Sequence, residues 1–128
     1  MTREEALRSA VRAVADEPFA YGSHDCCQFV RRVATAVTGH DPAPCMEYAS
    51  AREACEIIRL HGGLEGLLCS VFGAPSPIDA LQTADPCLVR LPTIGVLAGV
   101  LTRGGALVPM PRGLIRAPSS SVLRGWSL

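Results

Sequence analysis

The chain reads as an α+β domain in which N-terminal helices pack on a small C-terminal antiparallel sheet. Three observations predict this. Apolar residues recur at spacings of three and four through the first 72 positions. From Cys87 onward the pattern breaks into short apolar runs separated by turn residues. Between the two regions, residues 74–86 hold three prolines and scattered polar residues, which makes them a connecting loop.

The first helix starts at Thr2, whose hydroxyl can cap the chain with Glu5 three residues on. Leu7, Val11 and Val14 follow at helical spacing, and Pro18 ends the pattern. A second helix begins near Ser23 to Asp25. Cys26, Phe29, Val30, Val33 and Val37 then form one core-facing stripe, closed by Gly39. His40 to Pro44 is a turn, Ser50 to Leu60 is a third helix stopped by Gly62-Gly63, and Leu64 to Phe72 is a short fourth.

The predicted strands are Cys87–Leu91, Ile94–Leu101, Ala106–Val108 and Leu114–Arg116, with turns at Gly104-Gly105 and Pro109 to Gly113. They form a meander. Trp126 is expected to pack its ring on the body of the domain.

Composition narrows the function. At 128 residues the chain is expected to form one domain, residues 1–128, and to bury roughly two-thirds of its unfolded surface. Hydrophobic residues make up 48% of it, which excludes disorder. Twelve arginines balance twelve acids, with no lysine and no basic run, so nucleic acid is not the expected partner. No apolar run reaches the roughly 18–20 residues of a membrane span. The six cysteines (26, 27, 45, 55, 69 and 87) are expected to be free, with Cys55, Cys69 and Cys87 packed in apolar patterns.

The chemistry concentrates at residues 19–30. A glycine turn runs into Asp25-Cys26, which places a thiol in the first turn of a helix. The helix dipole lowers a thiol pKa there, and the free backbone amides can stabilise an oxyanion. Cys26 is thus a candidate nucleophile. His24 is a weak candidate for its base, because residues two apart across a helix start rarely converge. His40 and His61 could reach the site only by folding back. Asp25 is expected to cap the helix. His24, Cys26, Cys27, His40, Cys45, Cys55 and His61 are all metal-capable side chains. They show none of the paired-cysteine spacing of structural zinc, so neither a metal nor a cofactor is expected.

Phe19-Ala20-Tyr21-Gly22 with Asp25-Cys26-Cys27-Gln28-Phe29-Val30 resembles the first motif of the NlpC/P60 family, the papain-like cysteine peptidases and amidases. That motif is an aromatic-x-x-Gly turn ending in Asp-Cys-Ser-Gly-x-Val. Ala84-Asp85-Pro86-Cys87-Leu88-Val89 resembles the second motif, Gly-Asp before an apolar strand. Thr93-Ile94-Gly95-Val96 stands where the family has His-Val-Gly-Ile. The match is closer to a small phage-encoded branch with a Gly-x-His-Asp-Cys-Cys-like turn. That branch also has a Gly-Leu-x-x-x-Pro ending, as in Gly113-Leu114 to Pro118, and a late Trp, as Trp126.

The resemblance implies a reduced NlpC/P60-like fold and a place in a phage-type tail, made in the host bacterial cytoplasm and carried in the virion. The partners it implies are other tail proteins, such as the tail-tip hub and the tape measure, with peptidoglycan as a further contact. The sequence departs from the family where the chemistry is supported. Thr93 replaces the catalytic His. Ala106-Leu107-Val108-Pro109 offers no polar residue to orient a base, and Phe19 lacks the hydroxyl of the Tyr that backs the site. Loss of a general base costs about 10²–10⁴ in rate. The expectation is a tail protein whose Cys26 is vestigial. The alternative is an active peptidase or amidase cleaving peptidoglycan with Cys26 as nucleophile.

Overall fold

The computed structural model describes every residue from Met1 to Leu128. Its elements are α1 (Arg3–Val14), α2 (Cys26–Thr38), α3 (Ala51–Leu60), α4 (Leu64–Phe72), β1 (Pro86–Leu91), β2 (Gly95–Thr102), β3 (Gly105–Met110), β4 (Gly113–Pro118) and β5 (Val122–Gly125). The architecture is α+β, with four helices and a five-stranded antiparallel sheet in the order β4-β3-β2-β1-β5. No helix is long and apolar enough to cross a membrane.

Local chemistry sets most helix ends. Thr2 accepts from the Glu5 amide at 3.1 Å, and Ser50 accepts from the Glu53 amide at 3.2 Å. The Glu53 carboxylate returns the cap by accepting from the Ala49 amide at 3.0 Å. Helix α2 ends at Gly39, whose φ of 79° is the left-handed conformation a glycine adopts at little cost.

The sheet differs from a simple meander. β1 to β4 follow one another, but β5 crosses to the far edge and pairs with β1. Only Ser119–Ser121 join β4 to β5. Edge strands of a flat five-stranded sheet lie roughly 19 Å apart. The four Cα–Cα steps from Pro118 to Val122 reach only about 14 Å. The sheet therefore curls until its two edges approach one another.

Curling divides the interior in two. Leu88, Ala98 and Val100 face the helices and join Leu7, Phe29, Val30, Val33, Leu67 and Trp126 in the larger core. The opposite face turns inward on itself, packing Cys87, Val89, Leu91, Ala106, Val108 and Ala117. Trp126 is fully buried, and its indole N–H donates to the Gly73 carbonyl at the end of α4 at 2.9 Å.

A buried ion pair locks this arrangement. Asp85, sealed from solvent, accepts from Arg3 at 2.6 Å and from the Gln82 and Leu128 amides at 2.7 and 3.0 Å. Arg3 also donates to the Thr83 and Leu128 carbonyls, so one side chain joins α1, the loop before β1 and the segment after β5.

Candidate functional site

The site is built by the turn that precedes α2. Ala20 and His24 exchange backbone hydrogen bonds of 2.9 and 3.0 Å, closing a tight loop. Gly22 stands in it at φ 92°, and a Cβ there would collide with the Tyr48 carbonyl. The loop delivers Asp25 to the start of the helix as its N-cap. The Asp25 carboxylate accepts from the Gln28 amide and from the Gly22 amide, both at 2.9 Å. The Tyr48 hydroxyl donates to the same carboxylate at 2.7–2.8 Å. Burial and the Asp25 charge push the Tyr48 hydroxyl far above its ordinary range.

Cys26, the first residue of α2, is partly buried. The neighbouring Cys27 thiol and the Ala98 backbone amide of β2 hold its pKa below the ordinary thiol value of 9.0. Burial and the Asp25 carboxylate oppose the shift without reversing it. Cys27 moves the other way. The neighbouring Cys26 sulfur, burial and the Asp25 charge raise its pKa well above the ordinary thiol value, so it keeps its proton.

No imidazole joins them. His24 turns into the core at 3% exposure, its ring edge-on to Phe29 with centroids 6.4 Å apart. Its Nδ1 has no partner. His40 follows the far end of a 13-residue helix, about 20 Å from Cys26. His61 caps α3 in an exposed position and bonds the Ile57 carbonyl through Nδ1 at 2.8 Å. Thr93 is exposed in the β1–β2 turn at φ 65°. No three His, Cys, Asp or Glu side chains converge where they could hold a metal ion.

The other cysteines divide unevenly. Cys87 is buried, and desolvation with the nearby Asp85 charge pushes its thiol up to about 12. Cys55 departs from the expected core position and is exposed, as is Cys45. Helix α3 buries only Ala54, and Cys55, the next residue, points outward.

Sequence reasoning had found Cys26, the Asp25 cap and the Gly22 turn. It missed Tyr48 as a donor to Asp25 and the packing of β2 beside Cys26. Tyr48 stands in an irregular stretch with no periodic signal, 23 residues from its partner. The packing beside Cys26 depends on the docking of β2 against α2.

No curated protein matches the chain significantly. One protein family does, along residues 1–128, and its description is a domain of unknown function. The chain belongs to that family, DUF6950.

Proposed function

We propose that this protein is a structural or assembly component of a phage-type tail, at the tail tip, and that its fold is a reduced NlpC/P60-like domain that docks to other tail proteins without hydrolytic chemistry. The observation that carries the non-catalytic part is the surrounding of Cys26. None of the three imidazoles bonds to its sulfur: His24 packs on Phe29, His40 follows the far end of α2 and His61 caps α3. A nucleophile without a base to orient and exchange its proton lacks the pair on which cysteine hydrolases depend.

Two further features support the ancestry. Ala84, in the place of the family's Gly-Asp glycine, has φ 76°, a conformation that favours glycine. Strand β2, which follows Thr93, packs on α2 with Ala98 in the apolar cluster that Cys26 joins, as the third-motif strand would. The tail assignment itself rests on the resemblance of the Gly22–Cys27 turn and of the Gly113 to Trp126 ending to the phage-encoded branch.

A second reading has one observation in its favour: the lowered thiol pKa of Cys26 at a helix N-terminus. In it the protein is a cysteine peptidase or amidase that opens peptidoglycan as the genome is delivered. Particles assembled with Cys26→Ser separate the two. The structural reading expects the protein in purified particles and unchanged genome delivery. The hydrolase reading expects particles of normal composition that fail to deliver. Absence of the protein from purified particles would replace both with an assembly factor that leaves before completion.

A further inference from the structure

His24 is the one buried polar side chain with a sealed atom left unbonded. Buried polar groups are almost always paired, so the exception points to a partner that the chain does not supply. Neither ring nitrogen bonds to the protein, and only Nδ1 is sealed from solvent. The ring therefore opens outward on its Nε2 side. A sealed N–H without an acceptor is rarer than a sealed lone pair, which places the proton on Nε2 and makes that atom a donor.

His24 lines a cleft of about 440 Å³ between the end of α1, with the turn after it, and the β3–β4 turn. Val11, Val14, Phe19 and Leu114 give the cleft an apolar floor. Its charges cancel. Asp16 on the α1 side faces the same cleft as Arg112 on the sheet side, and Glu17 is bonded to Arg32 at 3.2 Å. No net field selects a charged ligand. An apolar stem ending in an uncharged acceptor oxygen matches the floor and the Nε2–H together.

The sheet side of the cleft is also a free edge. Strand β4 pairs only with β3. Met110 and Gly113 flank the two-residue turn Pro111-Arg112, so they form a hydrogen-bonded pair. Alternation then turns the main-chain groups of Leu114 and Arg116 outward. Pro109, opposite Leu114, agrees, because it has no N–H to give inward. Leu114 thus carries an unpaired N–H and C=O beside the cleft that it lines. A peptide supplies the matching main-chain groups, the apolar stem and the acceptor in one ligand.

We propose that this cleft docks an extended, uncharged segment of a partner protein. The segment adds an antiparallel strand to β4 at Leu114 and Arg116. Directly opposed residues share a face of a sheet, so the residue opposite Leu114 points into the cleft. A glutamine there lays its stem on the apolar floor, and its side-chain carbonyl accepts from His24 Nε2–H. The inference goes beyond the tail reading and does not depend on it.

The blocked peptide acetyl-Thr-Gln-Thr-amide, titrated into isotope-labelled protein and followed by NMR, tests it. In the free protein the Leu114 and Arg116 amides should exchange with solvent readily, while that of Ile115, bonded to β3, is protected. The peptide should protect Leu114 and Arg116 and shift the His24 ring. N-methylation of the peptide's Gln should abolish binding, whereas N-methylation of the following Thr should spare it, because alternate amides of a strand face its neighbour. Leu in place of the peptide's Gln should bind roughly threefold to tenfold more weakly, the worth of one hydrogen bond. In His24→Phe that preference should vanish. Val11→Trp, which fills the cleft and leaves His24 in place, should lose binding with an unchanged circular dichroism spectrum, and it guards against misfolding of His24→Phe. A Leu114 amide already protected in the free protein overturns the proposal. So does the lack of a saturable shift, equal tolerance of the two N-methyl groups, or tighter binding of the peptide with Glu in place of Gln. These results leave the tail reading untouched, since the composition of particles decides that separately.

Discussion

Asp25 and Asp85 are both carboxylates removed from water, at 2% and 0% exposure, yet they are held by different means. Asp85 faces a cation, Arg3, that comes from 82 residues away and also binds Leu128. Asp25 faces no cation. Two backbone amides within three residues and one phenol hold it. Charge paired with a distant cation fastens parts of the chain together. Charge held by neighbouring amides shapes a turn and leaves a negative field at the adjacent thiol. One acid is a clamp for the fold, and the other is the foundation of a site.

Breaking the clamp should cost most. Asp85→Ala leaves Arg3 and two amides without their acceptor and should destabilise the fold by about 3–5 kcal/mol in urea titrations. Arg3→Met should cost comparably, because it strands a buried carboxylate. A loss below about 1 kcal/mol for either variant would show that Asp85 is not the clamp.

The Asp25 arrangement is more local, so its removal should cost less. Asp25→Ala removes a helix cap and orphans the Gly22 amide and the Tyr48 hydroxyl, for an expected loss of about 2–3 kcal/mol. A loss equal to that of Asp85→Ala would erase the distinction between the two acids. Tyr48→Phe removes one of three donors and should cost about 1–2 kcal/mol.

Tyr48 also gives a pH test. Its folded-state pKa is raised, so its contribution is complete below the unfolded value of about 10 and falls continuously as pH climbs above it. Wild type should lose stability in that alkaline window, and Tyr48→Phe should lose less. Equal alkaline slopes would mean that the hydroxyl is not held by Asp25.

Thiol labelling sharpens the view of the site without altering stability. In a Cys45→Ser, Cys55→Ser background the exposed thiols are gone. Cys26 should then react with a midpoint below 9.0, while Cys87 stays unreactive through neutral pH. A Cys26 that reacts no faster than Cys87 would mean a sealed, inert sulfur and would weaken the hydrolase reading further. Ala84→Gly should have the smallest effect. It relieves a left-handed alanine at φ 76° but deletes a buried methyl, so stability should move by less than about 1 kcal/mol.

The legible parts of the fold share a short range. Thr2, Asp25 and Ser50 announce helix starts because each cap bonds an amide three residues on. Gly39 announces an end because few other residues adopt its conformation. Strand β5 was illegible. Val-Leu-Arg-Gly is too short to show alternation, and only its pairing with β1 makes it a strand. Cys55 was misplaced because the α3 pattern does not show which side α4 will cover.

At the site, the Asp25-Cys26 helix start was visible because neighbouring residues build it, and the fate of His24 was not. Whether that ring meets a sulfur or the Phe29 ring depends on how α2 packs on the rest of the core.

The sequence by itself determined the helices, their caps, four of the five strands and the placing of a thiol at a helix start. These depend on bonds and periodicities spanning a few residues. The tertiary structure alone decided that the sheet curls and that Arg3 reaches Asp85. It also packed Ala98 into the cluster that Cys26 joins while turning His24 against Phe29. Those outcomes rest on contacts across tens of residues. Packing of the whole chain selects them, and no local pattern encodes them.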